Sequence, residues 1–278
     1  MQEVKKAVIP VAGWGTRMLP ATKSIPKELL PLEGRPALDY LVEELCSSGV
    51  EELLLVTSRH KRVIEEYCQG RHRGIKIFYR RQKTPLGLGH AVSQAQGFTG
   101  SQPFAVLLGD AIFQYGKDPP LRQMIEAYYQ IEATVVGVQR LSPAALSKHG
   151  IPGLEERLNP CLWRIGQLIE KPSPERAPSG LGTMGRYLLL PSIYPLLDRI
   201  KADSQGELQL TTALDFLASR ERVYVYLLSG RRFDLGSKAG YLKALMAFSL
   251  QGKGPPGFRE YLEEIVGGGD NNGAEKGY

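Results

Sequence analysis

At 278 residues the chain is long enough to bury a sizeable core, as one large α/β domain or as a domain with an appended lobe. An apolar fraction of 42% and a charged fraction of 23% exclude disorder for the bulk of it. The formal charge of +6 comes from scattered basic residues, not from a run with interleaved aromatics, which favours a local anionic ligand over nucleic acid.

Cys46, Cys68 and Cys161 are odd in number and lie in no CxxC spacing. Neither a disulfide framework nor a zinc site is indicated, and a reduced, cytoplasmic setting is expected. No apolar run approaches the roughly twenty residues of a membrane span. The opening "MQEVKKAVIPV" lacks the length and cleavage pattern of a signal peptide, so neither a membrane nor export is expected.

In chain order, "KAVIPVA" reads as a strand, "PALDYLVEELCSSG" as a helix opened by Pro36 and closed by Gly49, "EELLLVTS" as a strand and "HKRVIEEYCQG" as a helix. "GIKIFYRRQ", a helix near "LGHAVSQAQGF" and the strand "PFAVLLGD" follow. Strand then helix, repeated, predicts an α/β fold: a Rossmann-like, mostly parallel sheet flanked by helices. Ligands of such sheets gather beyond the carboxyl ends of the strands, which singles out the loops after residues 11, 80, 108, 170 and 230. From Leu141 the character changes. "LSPAALSKHGIPGLEERLNP" is polar and turn-rich, and "CLWRIGQLIEKP" and "GLGTMGRYLLLP" read as strands framing "SPERAPS". This part is expected to be an inserted lobe forming the other wall of a cleft. Helix, strand and helix return with "ELQLTTALDFLASR", "VYVYLLSG" and "SKAGYLKALMAFSL". A single unit is expected over 1–265, divided at about 140 and 235, with a flexible tail over 266–278.

The loop "VAGWGTRMLPATKSIPKELLPL" settles into no regular element by its pattern. Gly13 and Gly15 allow close backbone approach and positive φ, the means by which a turn presents N–H groups to phosphate oxygens, and Arg17 and Lys27 would add cations. It lacks the third glycine of a dinucleotide fingerprint and the GK[ST] of a Walker motif. The alternative is a surface loop of turn glycines and solvated cations, against which prolines 20, 26 and 31 argue by stiffening it.

"FAVLLGDAIF" ends a buried strand at Asp110, and Asp234 follows another in "RRFDLGS". Carboxylates at strand ends suit Mg²⁺, and two from distant strands could share one ion; an N-cap is the alternative for Asp110. In "RRQKTPLGLGHAV", Gln82, Gly87 and Gly89 offer an amide and free backbone groups to a pyrimidine edge. Glu170 and Lys171 adjoin at a strand end, where Pro172 is expected to hold Lys171 extended and the two side chains need not meet. The four histidines and Trp14 and Trp163 show no metal spacing or stacking pattern and are assigned structural or surface roles.

These blocks together resemble the bacterial UTP--glucose-1-phosphate uridylyltransferases, within the sugar-nucleotide nucleotidyltransferases. "GWGTRMLPATKSIPKELLPL", "RQKTPLGLGHAV", "LLGDAIF", "SKHGI", "EKPSPERAPS", "GRYLL", "GELQLT" and "GRRFDLGSKAGYLKA" occur in the family's order from residue 5 to about 250. The resemblance implies a Mg²⁺-dependent transfer from UTP to α-D-glucose 1-phosphate giving UDP-glucose and pyrophosphate. It assigns Arg17 and Lys27 to catalysis and Asp110 and Asp234 to the metal. Ala12, Gly13, Gly15, Gln82 and Gly87 go to the nucleotide, and Gly150, Glu170, Lys171 and Gly185 to the sugar phosphate, so that the segment from 141 to 235 becomes a sugar-binding lobe. Turn glycines are the alternative for Gly150 and Gly185. Relatives commonly form dimers or tetramers, which by analogy suggests a homo-oligomer. Ala111, Gly180 and Thr212 depart from the family pattern, the last two near the sugar side. The same chemistry on dTTP or another hexose 1-phosphate, or a non-catalytic nucleotide-sugar binding protein, are the rival readings.

Overall fold

The computed structural model describes residues 2–72, 74–251 and 256–267. The first apolar run forms strand β1 (Lys6–Pro10), whose side chains alternate between two cores, Ala7 and Ile9 on one face and Val8 on the other. Because both faces are covered, the strand can be apolar throughout. A short hairpin of β2 (Pro31–Leu32) and β3 (Arg35–Pro36) leads into the helix Ala37–Ser47, which lays Leu38, Leu41, Val42 and Leu45 on the first core at helical spacing. Strands β4 (Glu52–Thr57), β5 (Lys76–Arg81) and β6 (Phe104–Leu107) follow, with helices Arg62–Cys68 and Gly87–Ser93 between them. The helix expected near residues 88–98 is interrupted after Ser93 and resumes as a single turn, Gln96–Thr99.

Beyond β7 (Ala111–Gln114) and the helix Pro120–Ile131 come β8 (Thr134–Arg140), β9 (Gly150–Asn159), β10 (Leu162–Glu170) and β11 (Leu181–Leu189). The helix Leu210–Ala218, then β12 (Val223–Leu227) and β13 (Arg231–Asp234), precede the helices Lys238–Leu250 and Phe258–Gly267. The tail expected over 266–278 lies, from residue 268 onward, outside the described residues.

The main sheet has nine strands in the order β5-β4-β1-β6-β11-β8-β12-β10-β9, and only β11 and β10 run against the direction of the others. The expected mostly parallel sheet is therefore present, with β11 inserted antiparallel between β6 and β8. Strands β9 to β12, all after Leu141, thus share one sheet with the first half. Residues 150–159, polar and turn-rich by composition, form the outer edge strand β9. Pairing with β10 satisfies one side of its backbone whatever the side chains, and Glu155, Glu156 and Arg157 stand in solvent at the edge, where polar residues are tolerated.

A separate two-stranded ribbon pairs β13 with β7, setting Asp234 opposite Ala111 and Arg232 opposite Phe113. Strands β5, β4, β1 and β6 are parallel, so the loops after them open on one side. No helix of the described residues is long and apolar enough to cross a membrane.

Candidate active site

The loop after β1 is built from three short 3-10 turns, Thr16–Met18, Ala21–Lys23 and Lys27–Leu29, so it has more local order than its pattern suggests. Gly15 takes φ 66 and sits against Thr22, whose hydroxyl donates to the Gly15 carbonyl at 2.8 Å. Its part is to shape the loop. Gly13 needs no positive φ and has open space around it.

The third turn aims Lys27 at Asp110, with Nζ 2.6 Å from Oδ2. Beneath it Glu28 is fully buried and accepts a hydrogen bond from Lys61 at 2.7 Å. Burial alone would raise the Asp110 pKa, yet the charge and hydrogen bond of Lys27, with Arg232 and Arg17 behind them, hold it below the usual carboxylate range. Burial likewise opposes the charge on Lys27, but Asp110 and Glu28 hold its pKa above the ordinary lysine value.

Asp110 and Asp234 are 124 positions apart in sequence, and the β7–β13 ribbon makes them neighbours. Register sets Ala111 against Asp234, and the Leu235 N–H donates to the Asp110 carbonyl at 2.8 Å. The exposed guanidinium of Arg17 lies between the carboxylates, 4.0 Å from Asp110 and 3.8 Å from Asp234. Gly236 completes the cradle: its N–H donates to Asp234 Oδ1 at 2.9 Å. A methyl group there would stand 2.9 Å from Asp110 Oδ2 and 3.0 Å from Asp234 Oδ1. Two carboxylate oxygens thus converge on one small space, which the sequence did not single out. Among the described residues no cluster of three or more His, Cys, Asp or Glu is arranged to hold a metal ion, so any cation here would rest on these two and on its substrate.

On the other side of Asp110 lies a cleft of about 500 Å³ whose lining includes Ala12, Gly13, Lys27, Gln82, Gly87 and Asp110. Six of the expected residues therefore meet around one cavity. Gln82 is buried at the end of β5, and its Nε2 donates to His90 Nδ1 at 2.7 Å. Gly87 takes φ 89, and any side chain would strike the Leu208 carbonyl at 2.9 Å, because the Gly89 N–H and the Leu208 N–H tie these two loops together. Glu207, from "GELQL", reaches the same cleft, as does Trp14, tilted against His60 with ring centroids 4.8 Å apart.

The sugar-side residues form a second group. Gly150 pairs with Glu170 across β9 and β10, and Gly185, at φ 75, lies in an irregular stretch of β11. Gly185 is no simple turn glycine: its carbonyl accepts from Leu108, two residues before Asp110, and a Cβ would meet Leu108 at 3.0 Å. The extended conformation expected of Lys171 is not found, and its side chain, which need not have met Glu170, does so. Lys171 is left-handed, with φ 43, and its Nζ meets Glu170 Oε1 at 3.3 Å. Sheet pairing stops at Glu170, and the Lys171 N–H donates to the His149 carbonyl, which turns the chain off the sheet before Pro172. His149 itself is anchored by Nδ1 to the Thr183 carbonyl at 2.9 Å. Burial, and then the Arg232 charge, push its pKa below the ordinary histidine value.

Residues 6–250 match the nucleotidyl transferase family. The chain is 42% identical to a UTP--glucose-1-phosphate uridylyltransferase of Bacillus subtilis (strain 168), over 95% of this chain and 96% of that one. It superposes on a UDP-glucose pyrophosphorylase complexed with UDP-glucose with TM-score 0.85 and 36% identity, covering 88% of this chain and 98% of that chain. A UTP-bound UGPase from Acinetobacter baumannii gives TM-score 0.81 and 33% identity, covering 95% and 98%. With cation, paired carboxylates and cleft disposed as described, the chain belongs to the nucleotidyl transferase family, on the branch of the UTP--glucose-1-phosphate uridylyltransferases.

Proposed function

We propose that the cleft joins UTP to α-D-glucose 1-phosphate, giving UDP-glucose and pyrophosphate. The observation that carries this is that Lys27 and Asp110 line a cavity shared with Gln82 and Gly87, while Arg17 joins Asp110 to Asp234 beside it. A phosphate oxygen of the sugar phosphate attacks the α-phosphorus of UTP; the new O–P bond forms as the bond to the β-phosphate oxygen breaks, and pyrophosphate departs. No side chain need act as nucleophile. The protein's task is to hold two mutually repelling polyanions in line and to stabilise charge on the transferring group.

Lys27 meets the α-phosphate from a position fixed by the buried charges behind it. Arg17, at 66% side-chain exposure, is free to follow the pyrophosphate out. Gln82 reads the uracil edge, its amide oriented by His90, while the backbone at Ala12, Gly13 and Gly87 closes on the base. Lys171 takes the sugar phosphate on releasing Glu170, whose carboxylate then accepts from hexose hydroxyls; Gly150 and Gly185 let the backbone approach the ring. Asp110 and Asp234 fit Mg²⁺, which binds proteins through one or two carboxylates and leaves its other positions to water and phosphate, and which would supply charge neutralisation across the phosphates.

On this reading, residues 1–140 serve the nucleotide and 141–235 the sugar, in a cytoplasmic enzyme whose cysteines are free thiols. Exposed Leu242, Met246, Tyr261 and Ile265 on the C-terminal helices support self-association. The test is pyrophosphate release across UTP, dTTP and other nucleotides, each against several hexose 1-phosphates. UTP with glucose 1-phosphate should be the best pair; a place among the poorest would overturn the substrate assignment.

A further inference from the structure

Two arginines approach the ribbon of β7 and β13, and the fold treats them in opposite ways. Arg186, on β11, is fully buried and fully engaged. It donates to both Glu44 carboxylate oxygens at 3.0 and 2.8 Å and to the carbonyls of Ala111 and Gly185, and lies over the Phe113 ring. Arg232, on β13, is partly buried, with its Nε sealed from solvent and without an acceptor. Among the described residues it makes neither a hydrogen bond nor an ion pair, and it stacks on no ring, whereas its neighbour Arg231 lies over Phe233.

A buried guanidinium Nε without an acceptor costs stability, because its lost hydration is not replaced. Its surroundings say what would replace it. Arg232 and Asp234 share a face of β13, two residues apart, yet the carboxylates of Asp234 and Asp110 are already engaged by Gly236, Arg17 and Lys27. The sugar-side wall reaches the same aspartates, for the Gly185 carbonyl accepts from the Leu108 N–H, two residues before Asp110. The guanidinium therefore lies beside paired aspartates that the sugar-side wall also reaches. A planar fork of N–H donors suits the tetrahedral oxyanion that must lie there.

Building on the reaction proposed above, we propose that Arg232 is a substrate-binding residue. Its donors grip the phosphate of the hexose 1-phosphate, which is the sugar-bearing phosphate of the nucleotide-sugar product, and the binding of that anion gives the guanidinium acceptors that the protein itself does not supply.

The test compares the wild type with Arg232→Met and Arg232→Lys in steady-state kinetics and in thermal melting with and without glucose 1-phosphate or inorganic phosphate. In Arg232→Met, KM for glucose 1-phosphate, and for UDP-glucose in the reverse direction, should rise roughly ten- to a hundredfold, the range for losing hydrogen bonds to a charged group. KM for UTP should stay nearly unchanged, and Arg232→Lys should recover part of the loss. The ligand-free melting temperature of Arg232→Met should stay close to or exceed that of the wild type, since a buried Nε without an acceptor has gone. The upward shift given by glucose 1-phosphate or phosphate should shrink. An unchanged KM for glucose 1-phosphate, or a ligand-free melting temperature that falls while all kinetic constants shift together, would overturn the proposal. A wild type inert with UTP and glucose 1-phosphate would instead overturn the proposed reaction, and the phosphate-dependent melting shift would still decide the role of Arg232.

Discussion

Lys27 Nζ and Asp110 Oδ2 stand 2.6 Å apart across 83 residues of sequence, both largely buried, at the point where the long loop after β1 meets the end of β6. A cation held so close to a carboxylate is oriented before any substrate arrives, and electrostatic catalysis depends on such preorganisation. Lys27→Ala should lower kcat roughly a hundred- to a thousandfold, the usual loss on removing one donor to a developing charge, with the fold retained by circular dichroism. An unchanged kcat would remove Lys27 from the mechanism.

Gly236 is where the smallest change should do the most harm. Its backbone needs no left-handed conformation, so alanine fits the chain, but the added methyl would enter the space between Arg17, Asp110 and Asp234 at 2.7, 2.9 and 3.0 Å. Gly236→Ala is expected to reduce kcat by about a hundredfold, as small misplacements of catalytic groups do, and to raise the Mg²⁺ concentration needed for half-maximal rate. The melting temperature should barely move. Full activity in this variant would mean that the two carboxylates do not work through the space they share.

The buried pair of Glu28 and Lys61 allows a test in pH. Burial pushes the Glu28 pKa up, against the pull of Lys61 and Lys27, and pushes the Lys61 pKa down, against the pull of Glu28. A raised carboxylate contributes stability that is complete below its unfolded value of 4.5 and is lost as pH rises through the folded value. A depressed lysine contributes stability that is complete above 10.5 and is lost as pH falls through its folded value. Between the two folded values the pair contributes least. Lys61→Met alone, which leaves Glu28 uncompensated, should cost about 3–5 kcal/mol at neutral pH, and Glu28→Gln added to it should recover most of that. Denaturant unfolding from pH 4.5 to neutral should show the double variant gaining on the wild type as pH rises; a difference independent of pH would contradict the assignment.

Gln82 lines the cleft with its Nε2 held by His90. Gln82→Ala should raise KM for UTP roughly tenfold or more and narrow the preference for UTP over other nucleotides, because a site built to pair with a base edge loses discrimination with its pairing group. His90→Leu should act in the same direction more weakly. If competition among nucleotides were unaltered in both variants, base reading would have to lie elsewhere.

Some of this enzyme was legible residue by residue. The apolar run of β1 and the alternation of strand with helix announce a sheet covered on both faces, because side-chain periodicity is a local property of the backbone. Arg17, Lys27, Asp110 and Asp234 were equally visible, as cations on a stiffened glycine loop and carboxylates at strand ends. What the sequence could not convey is how distant segments lie against one another. The register of β13 on β7 makes Asp234 the neighbour of Asp110 and puts Gly236 between them. The carbonyl of His149 turns Lys171 left-handed, and pairing with β10 makes an edge strand of residues 150–159. The same tertiary arrangement buries Glu28 against Lys61 and leaves the Nε of Arg232 without an acceptor. Chemical identity and periodicity belong to the chain itself, whereas desolvation and the pairing of charges depend on through-space distances that only the folded sheet sets.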